Sequence, residues 1–145
     1  MQATMCGSGC YWTRSAKKGR EFPSLKGAVE ADVAIIGGGI VGIIAARLLK
    51  DRGMSVAVVE ASRIGRGVTG RSTAKVTAQH ALALSRIEDT HGANTARDYA
   101  QANRAGVALI SDLVGRFSLA CTFEASDAVA YATTVASIST CSQTA

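Results

Sequence analysis

The clearest pattern of apolar and polar positions lies between residues 32 and 60. Asp32–Ile36 is a run of β-branched and small apolar residues, which is typical of a parallel strand covered on both faces. Ile40–Arg52 then places apolar residues at helical spacing, and Gly53 supplies a helix stop. A second apolar run follows at Ser55–Glu60. The pattern therefore predicts a strand–helix–strand unit and an α/β fold.

Beyond this unit the pattern favours helices. Ala61–Thr73 reads as a loop, because it is rich in Gly, Arg, Ser and Thr. A helix is predicted over Thr77–Thr90 and a longer one over Ala93–Phe117, and Ala128–Thr134 alternates as a strand does. The apolar positions at helical spacing in the longer helix are Tyr99, Ala102, Ala105, Leu109 and Leu113.

Three consecutive glycines join the first strand to the helix. Gly37, Gly39 and Gly42 fit the pattern G-x-G-x-x-G, in which each glycine has its own task. Gly37 allows the tight turn, Gly39 lets a pyrophosphate approach the backbone, and Gly42 lets helix and strand pack closely. The helix start adds N–H groups and a partial positive charge. This context predicts a Rossmann-like dinucleotide site.

Glu60 ends the second strand 18 positions after Gly42, where a carboxylate meets the ribose hydroxyls of a dinucleotide. A carboxylate there would repel a 2′-phosphate, which disfavours NADP and leaves NAD and FAD open. The long loop Ile64–Ala74 offers many backbone and hydroxyl donors, which suits the extended diphosphate and ribityl chain of FAD. We therefore expect FAD.

Composition and charge limit the other possibilities. The 145 residues are 48% hydrophobic and 19% charged, as in a soluble globular domain. The net charge of +5 comes from scattered residues, and the densest basic group, residues 14–26, lacks interleaved aromatic residues. The apolar run Val33–Ala46 is too short to span a bilayer. We expect neither a nucleic-acid partner nor a membrane span.

The cysteines and histidines suggest no metal site. Cys6 and Cys10 have no second pair of ligands nearby, and His80 and His91 are not spaced as a ligand pair. The chain begins without a signal-peptide pattern, so the cysteines, which include Cys121 and Cys141, are expected to be free thiols in the cytoplasm.

Three segments of the chain resemble the superfamily of FAD-dependent amine and amino-acid oxidases, which includes D-amino-acid, glycine, sarcosine and γ-glutamylputrescine oxidases. The likeness is closest to bacterial members that carry a C-terminal Rieske iron–sulfur domain. The glycine block is common to many flavoproteins, and the loop block is more specific. The segments are Asp32–Gly42, Val58–Ala61 and Gly67–Thr77, with weaker likeness at Tyr11–Trp12, Phe22–Gly27, Tyr99–Asn103 and Cys121–Glu124.

The resemblance implies a set of cofactor-binding residues. Gly37, Gly39, Ile40 and Val41 would line the pyrophosphate, Gly42 would complete the motif, and Glu60 would hold the adenosine ribose. Ala61 would border the adenine. The residues that would approach the diphosphate and ribityl chain are Thr69, Arg71, Ser72 and Thr73.

The resemblance also implies a function, oxidation of a C–N bond in a small amine or amino acid with hydride transfer to flavin. Family members are several-fold longer, and the paired Cys and His ligands of a Rieske centre are absent. We therefore expect a fragment that is inactive alone, with an irregular lead-in at residues 1–31, a partial FAD/NAD(P)-binding domain at 32–135 and an unrelated or disordered tail at 136–145. Two alternatives remain open: a non-catalytic dinucleotide-binding remnant, and an NAD-dependent or monooxygenase-like Rossmann domain. No catalytic residue is assigned, because His80 and His91 are more simply structural.

Overall fold

The computed structural model describes residues 19–80, 82–129 and 131. The chain forms two compact units, one ending at Ala74 and the other beginning at Lys75. The first unit contains strand β1 (Val33–Ile36), helix α1 (Ile40–Asp51), strand β2 (Val56–Val59) and a 3₁₀ turn (Thr69–Arg71). The second unit contains helices α2 (Ala83–His91) and α3 (Ala93–Arg116).

The two strands pair in parallel, from Val33 opposite Val56 to Ile36 opposite Val59. The Gly37 N–H continues the ladder beyond β1 and donates to the Val59 carbonyl at 2.7 Å. Parallel neighbours require a crossover connection, which α1 provides. The predicted α/β strand–helix–strand unit is confirmed.

A reciprocal pair of residues closes the other end of the strands. The Ser55 N–H and hydroxyl donate to Asp32 Oδ2 at 2.8 and 2.7 Å, and the Asp32 N–H donates to Ser55 Oγ at 2.9 Å. The Ser55 hydroxyl, and after it the Ser55 N–H, holds the pKa of the Asp32 carboxyl below its ordinary value of 3.8. Both residues were predicted within strands, but they join through side chains just outside the strand bounds.

Helix α1 ends as the sequence predicts, through Gly53. This residue has φ +83°, and its N–H donates to the Lys50 carbonyl at 3.0 Å. The Met54 N–H donates to the Leu49 carbonyl at 3.2 Å, which completes a Schellman motif. A left-handed backbone favours glycine, because a Cβ would be strained there.

Helix α2 begins later than predicted. The prediction placed its start at Thr77, but the helix begins at Ala83. The Thr77 hydroxyl accepts the N–H of Gln79 at 3.0 Å, and such a local turn competes with helical hydrogen bonding. Gly92, with φ +83°, separates α2 from α3.

The packed face of α3 agrees only in part with the predicted one. Ala96 and Leu113 are buried, whereas Ala102 and Ala105, which the predicted stripe contains, are exposed. The prediction followed apolar residue types, but a helix face advances by alternating steps of three and four residues. The predicted positions Tyr99, Leu109 and Leu113 are at least half-buried, and the face also contains Ala96, Asn103, Val107 and Ile110.

Several predictions fall at the ends of the chain. Cys6, Cys10 and Cys141 lie outside the described residues, as do residues 1–18 of the lead-in and the whole tail from 136 to 145. Most of the predicted strand 128–134 also lies outside them, and its described residues are not in a strand. Cys121 is a free, exposed thiol. Within the described ranges no helix has both the length and the apolar character needed to cross a membrane.

Candidate dinucleotide-binding site

The glycine loop makes the tight connection that its pattern predicts. Gly37 has φ +105° at the exit of β1, a conformation that favours glycine. Gly39 immediately precedes α1 with an extended backbone. A Cβ built on Gly42 would lie 2.1 Å from the Gly37 carbonyl oxygen, which leaves no room for any side chain. Gly42 therefore allows α1 to approach the end of β1.

The first turn of α1 offers backbone donors to an anion. The Ile40 N–H donates to the Thr69 hydroxyl oxygen at 3.0 Å, while the N–H groups of Val41 and Gly42 donate to no acceptor in the described part of the chain. This turn contains no acidic residue, and Gly39 provides no side-chain cap. The partial positive charge of the helix start is therefore available to a phosphate group.

Glu60 lies directly after β2 and reaches the glycine loop. Its Oε2 accepts the N–H of Gly38 at 2.7 Å, and its Oε1 accepts the N–H of Ser62 at 2.9 Å. The bond from Gly38, and after it the bond from Ser62, holds the pKa of Glu60 below its ordinary value of 4.5. Each carboxylate oxygen can accept a further hydrogen bond, so the ionised group can also receive ribose hydroxyls.

Gly38 has a role that the sequence interpretation missed. It is buried, and a Cβ there would lie 2.9 Å from Ile64 Cγ1 and 3.3 Å from Glu60 Cβ. Its carbonyl accepts the Gly65 N–H at 2.9 Å. The sequence does carry a signal for this role, because Gly38 is a glycine at a motif position where the pattern allows any residue. It marks the point where the loop after β2 crosses the glycine loop.

The loop after Glu60 places its predicted site residues unequally. Ala61 is exposed beside Glu60, and Thr69 contacts the helix start through the bond to Ile40. The Ser72 hydroxyl accepts the Ala74 N–H at 3.1 Å, which is a bond within the loop. Arg71 and Thr73 are exposed, and the Arg71 N–H donates to the Val68 carbonyl at 3.0 Å, within the 3₁₀ turn rather than toward the glycine loop. The structure thus brings Glu60 and Thr69 to the glycine loop, but not Arg71 or Thr73.

The histidines of the second unit are placed in different ways. His80 Nδ1 lies 2.8 Å from the Tyr99 hydroxyl oxygen, and the two rings meet edge to face with centroids 5.9 Å apart. His91 is the last residue of α2, and its carbonyl accepts the Thr95 hydroxyl at 3.0 Å. These contacts agree with structural roles for both residues.

The donor set of the first unit fits the ADP part of a dinucleotide. Unpartnered N–H groups and a helix start suit the pyrophosphate, and an ionised carboxylate suits the ribose. Val41, in the first turn of α1, is 78% exposed, so its surroundings leave space for a ligand. Gly39 has only the Thr69 hydroxyl oxygen near its missing Cβ, at 3.4 Å, so the backbone there is open to close approach.

Comparisons with known proteins agree with this geometry. The model of the family "FAD dependent oxidoreductase" matches residues 32–143. YhfW of Bacillus subtilis, named as a Rieske 2Fe-2S iron–sulfur protein, is 39% identical over 121 residues, which is 83% of this chain and 24% of YhfW. The γ-glutamylputrescine oxidoreductase of Escherichia coli is 32% identical over 113 residues, which is 78% of this chain and 26% of that protein. No solved structure gives a significant match.

The chain thus spans about a quarter of the length of these curated relatives. The family match begins at Asp32, one residue before β1, and it includes the glycine loop, Glu60 and the loop that follows. The cofactor that the family implies is FAD, as the sequence predicted. The chain belongs to the family of FAD-dependent oxidoreductases.

Proposed function

We propose that the first unit holds the ADP part of FAD. One observation carries the proposal: the Glu60 carboxylate is bonded to the glycine loop, beside helix-start N–H groups that have no acceptor in the described part of the chain. Gly37, Gly39, Ile40 and Val41 would surround the pyrophosphate, with Gly42 holding α1 close to β1. Glu60 would accept the ribose hydroxyls.

We also propose roles for the residues around this centre. Ala61 would border the adenine, since it directly follows the ribose-binding carboxylate. Thr69 is supported by its bond to Ile40, which places its hydroxyl at the helix start. Ser72, Thr73 and Arg71 would approach the diphosphate and ribityl chain. Arg71 and Thr73 can turn toward the cofactor when it binds, because both are exposed.

The activity that we propose is oxidation of a C–N bond in a small amine or amino acid. It is supported by a relative named for the oxidation of γ-glutamylputrescine, an amine. Bound FAD would supply the hydride acceptor, and the protein would bind and orient both molecules. We expect the 145 residues alone to bind the cofactor without turnover. A cytoplasmic location is proposed too, where the exposed Cys121 thiol would stay reduced.

The first experiment is an FAD titration of the whole chain, followed by the quenching of flavin fluorescence. The key variant is Gly39→Ala, whose new Cβ would make only an ordinary contact inside the protein but would project toward the pyrophosphate. Steric crowding of this size should weaken FAD binding by about tenfold or more. The matched control is Gly67→Ala, because Gly67 also has open space around its missing Cβ.

Equal affinities of the two alanine variants would contradict the proposed site. Binding of NAD rather than FAD would contradict the proposed cofactor role. Anaerobic addition of a primary amine or amino acid to the FAD-loaded chain then tests activity. Persistent oxidised flavin bands are expected for these residues alone, and bleaching of the bands would show that they suffice for the chemistry.

A further inference from the structure

A cleft in the first unit has walls from two separate segments of the chain. Its volume is about 1150 Å³, large enough for much of a dinucleotide. One wall is the described lead-in, residues 19–26 with Val29, and the other is the end of β2 with the loop that follows it as far as Ala74, joined by Ile43 of α1. Four of the residues predicted to bind cofactor also line it: Glu60, Ala61, Thr69 and Ser72.

The cleft extends from Glu60 to the lead-in, and its lining also includes Thr69 and Ser72, which are proposed to approach the diphosphate. Glu60 and Ala61 line it, whereas none of the residues 37–42 of the glycine loop does. A ribose held by Glu60 has its pyrophosphate directed to the glycine loop and its base directed away from it. The wall that faces the base is therefore contributed in part by the lead-in.

The lead-in wall carries an aromatic ring that suits a purine. Phe22 lines the cleft and is 62% exposed, with the Arg20 guanidinium 5.4 Å from its ring centroid. Arg20 covers one face of the ring, which leaves the other to stack on a base. Leu25, which is 59% exposed, adds apolar surface to the same wall.

An ion pair connects this wall to the ribose-binding end of β2. Arg63 Nη2 lies 3.2 Å from Glu21 Oε1, one residue before Phe22. Arg63 follows Glu60 by three residues, so their Cα atoms are at most about 11 Å apart. Both side chains are largely exposed, so the pair orients the lead-in rather than contributing much stability.

We propose that the lead-in forms the adenine-binding wall of the cofactor site, with Phe22 stacking on the base and the Glu21–Arg63 pair as a positioning contact. The proposal rests on the proposed function, because it needs a ribose held by Glu60. In this proposal the segment before β1 contributes to the specificity for an adenine dinucleotide.

The test is calorimetric titration of the 145-residue chain with ADP, which contains the adenosine and pyrophosphate but no flavin. Phe22→Ala should weaken ADP binding by about tenfold, through the loss of one base–aromatic stack, and Phe22→Tyr should preserve it. The control is Phe117→Ala in the second unit. Phe117 is also exposed and also has an arginine over its ring, with the Arg116 guanidinium 5.1 Å away, but it does not line the cleft.

The possible outcomes separate this inference from the proposed function. ADP binding that is weakened in Phe22→Ala but not in Phe117→Ala supports the proposed adenine-binding wall. Equal ADP binding by wild type, Phe22→Ala and Phe117→Ala overturns the inference and leaves the proposed function standing. A wild-type chain that binds neither ADP nor FAD overturns both. Circular dichroism of each variant checks the fold, which should persist because Phe22 is mostly exposed.

Limited proteolysis gives a second, independent measurement. Trypsin cleaves after Arg20 and Lys26, which both line the cleft, so bound ADP should slow cleavage there several-fold. Glu21→Gln removes the ion pair and should reduce this protection, whereas Glu30→Gln, in the same segment but outside the cleft lining, should not. Cleavage at Arg20 and Lys26 that ADP leaves unchanged would contradict the proposed wall.

Discussion

Each of the two units has its own kind of internal contact. In the first unit the chain makes its closest approaches where side chains are absent: Gly42 lies against the Gly37 carbonyl, and Gly38 lies against Ile64 and Glu60. Polar side chains then bond across to backbone groups, as Glu60 does to Gly38. The structure of this unit therefore depends on the absence of a side chain at a few glycines and on a few individual hydrogen bonds.

In the second unit apolar surface carries the structure. Helices α2 and α3 pack on each other, and the buried residues Ala96 and Leu113 both belong to α3. A Cβ added to Gly106 or Gly115 of α3 would meet nothing within 4 Å. The first unit therefore depends on the absence of side chains at single glycines, whereas the second depends on the packing of two helices.

The largest effect should come from adding a single methyl group to the first unit. Gly42→Ala would place its Cβ 2.1 Å from the Gly37 carbonyl oxygen, so the helix must move away from the strand. We expect a loss of about 3 kcal/mol or more in the free energy of unfolding, measured by urea denaturation. The matched change in the second unit, Gly106→Ala, should be neutral or stabilising by up to about 1 kcal/mol, since it improves helix propensity in open space. Similar losses in both variants would remove the distinction between the units.

The next largest effect should come from removing apolar volume in the second unit. Leu113 is only 8% exposed, and Leu113→Ala should lower the free energy of unfolding by about 2 to 3 kcal/mol. Leu119→Ala is the control, because Leu119 is 50% exposed just beyond α3. Its cost should stay below about 0.5 kcal/mol. A small effect of Leu113→Ala in thermal or urea unfolding would mean that the helix pair is not held by its apolar face.

The same difference explains which parts of the fold could be predicted from sequence. The strand–helix–strand unit and the Gly53 stop follow from short-range patterns, and both are found in the structure. The reciprocal pair Asp32 and Ser55 joins residues 23 positions apart, and no local pattern contains it. The late start of α2 was missed because the Thr77 side chain favours a local turn over the helix.

The candidate site was predictable to the extent that one motif specifies it. Gly37, Gly39, Gly42 and Glu60 have the spacings of the dinucleotide-binding motif, which a short stretch of sequence contains. The contact of Gly38 with Ile64 depends on how the loop after β2 returns over the glycine loop. That path is a tertiary feature, so the sequence could suggest the loop's involvement but not which glycine it crosses.

A third prediction concerns the pH dependence of the first unit. Because the pKa of Glu60 is lowered in the folded state, its ionised form stabilises the fold above pH 4.5, and this contribution is lost as the pH falls through the lowered pKa. The ionised form of Asp32 likewise stabilises the fold above pH 3.8, and its contribution is lost as the pH falls through its lowered pKa. The amide resonances of Gly38 and Ser62, followed by NMR, should titrate with a midpoint below 4.5. Glu60→Gln should abolish that titration, and a midpoint at or above 4.5 would contradict the hydrogen-bonded geometry.

The smallest effect on stability is expected from the removal of one threonine hydroxyl group. Two threonines can be compared, one whose hydroxyl accepts a hydrogen bond and one whose hydroxyl donates one. In the first unit the Thr69 hydroxyl oxygen accepts the Ile40 N–H at the start of α1. In the second unit the Thr95 hydroxyl donates to the His91 carbonyl at the end of α2. Valine keeps the shape of threonine but removes the hydroxyl, so the same substitution tests both bonds.

Thr69→Val should lower the free energy of unfolding by about 1 kcal/mol, since it removes an acceptor from a helix-start N–H, whereas Thr69→Ser retains that acceptor. Thr95→Val should change stability by less than about 0.5 kcal/mol, because His91 is exposed and water can replace the lost donor. Amide hydrogen exchange of Ile40 should accelerate in Thr69→Val alone. Equal effects of the two valine substitutions would show that hydroxyl contacts matter no more around the glycine loop than they do at an ordinary helix end.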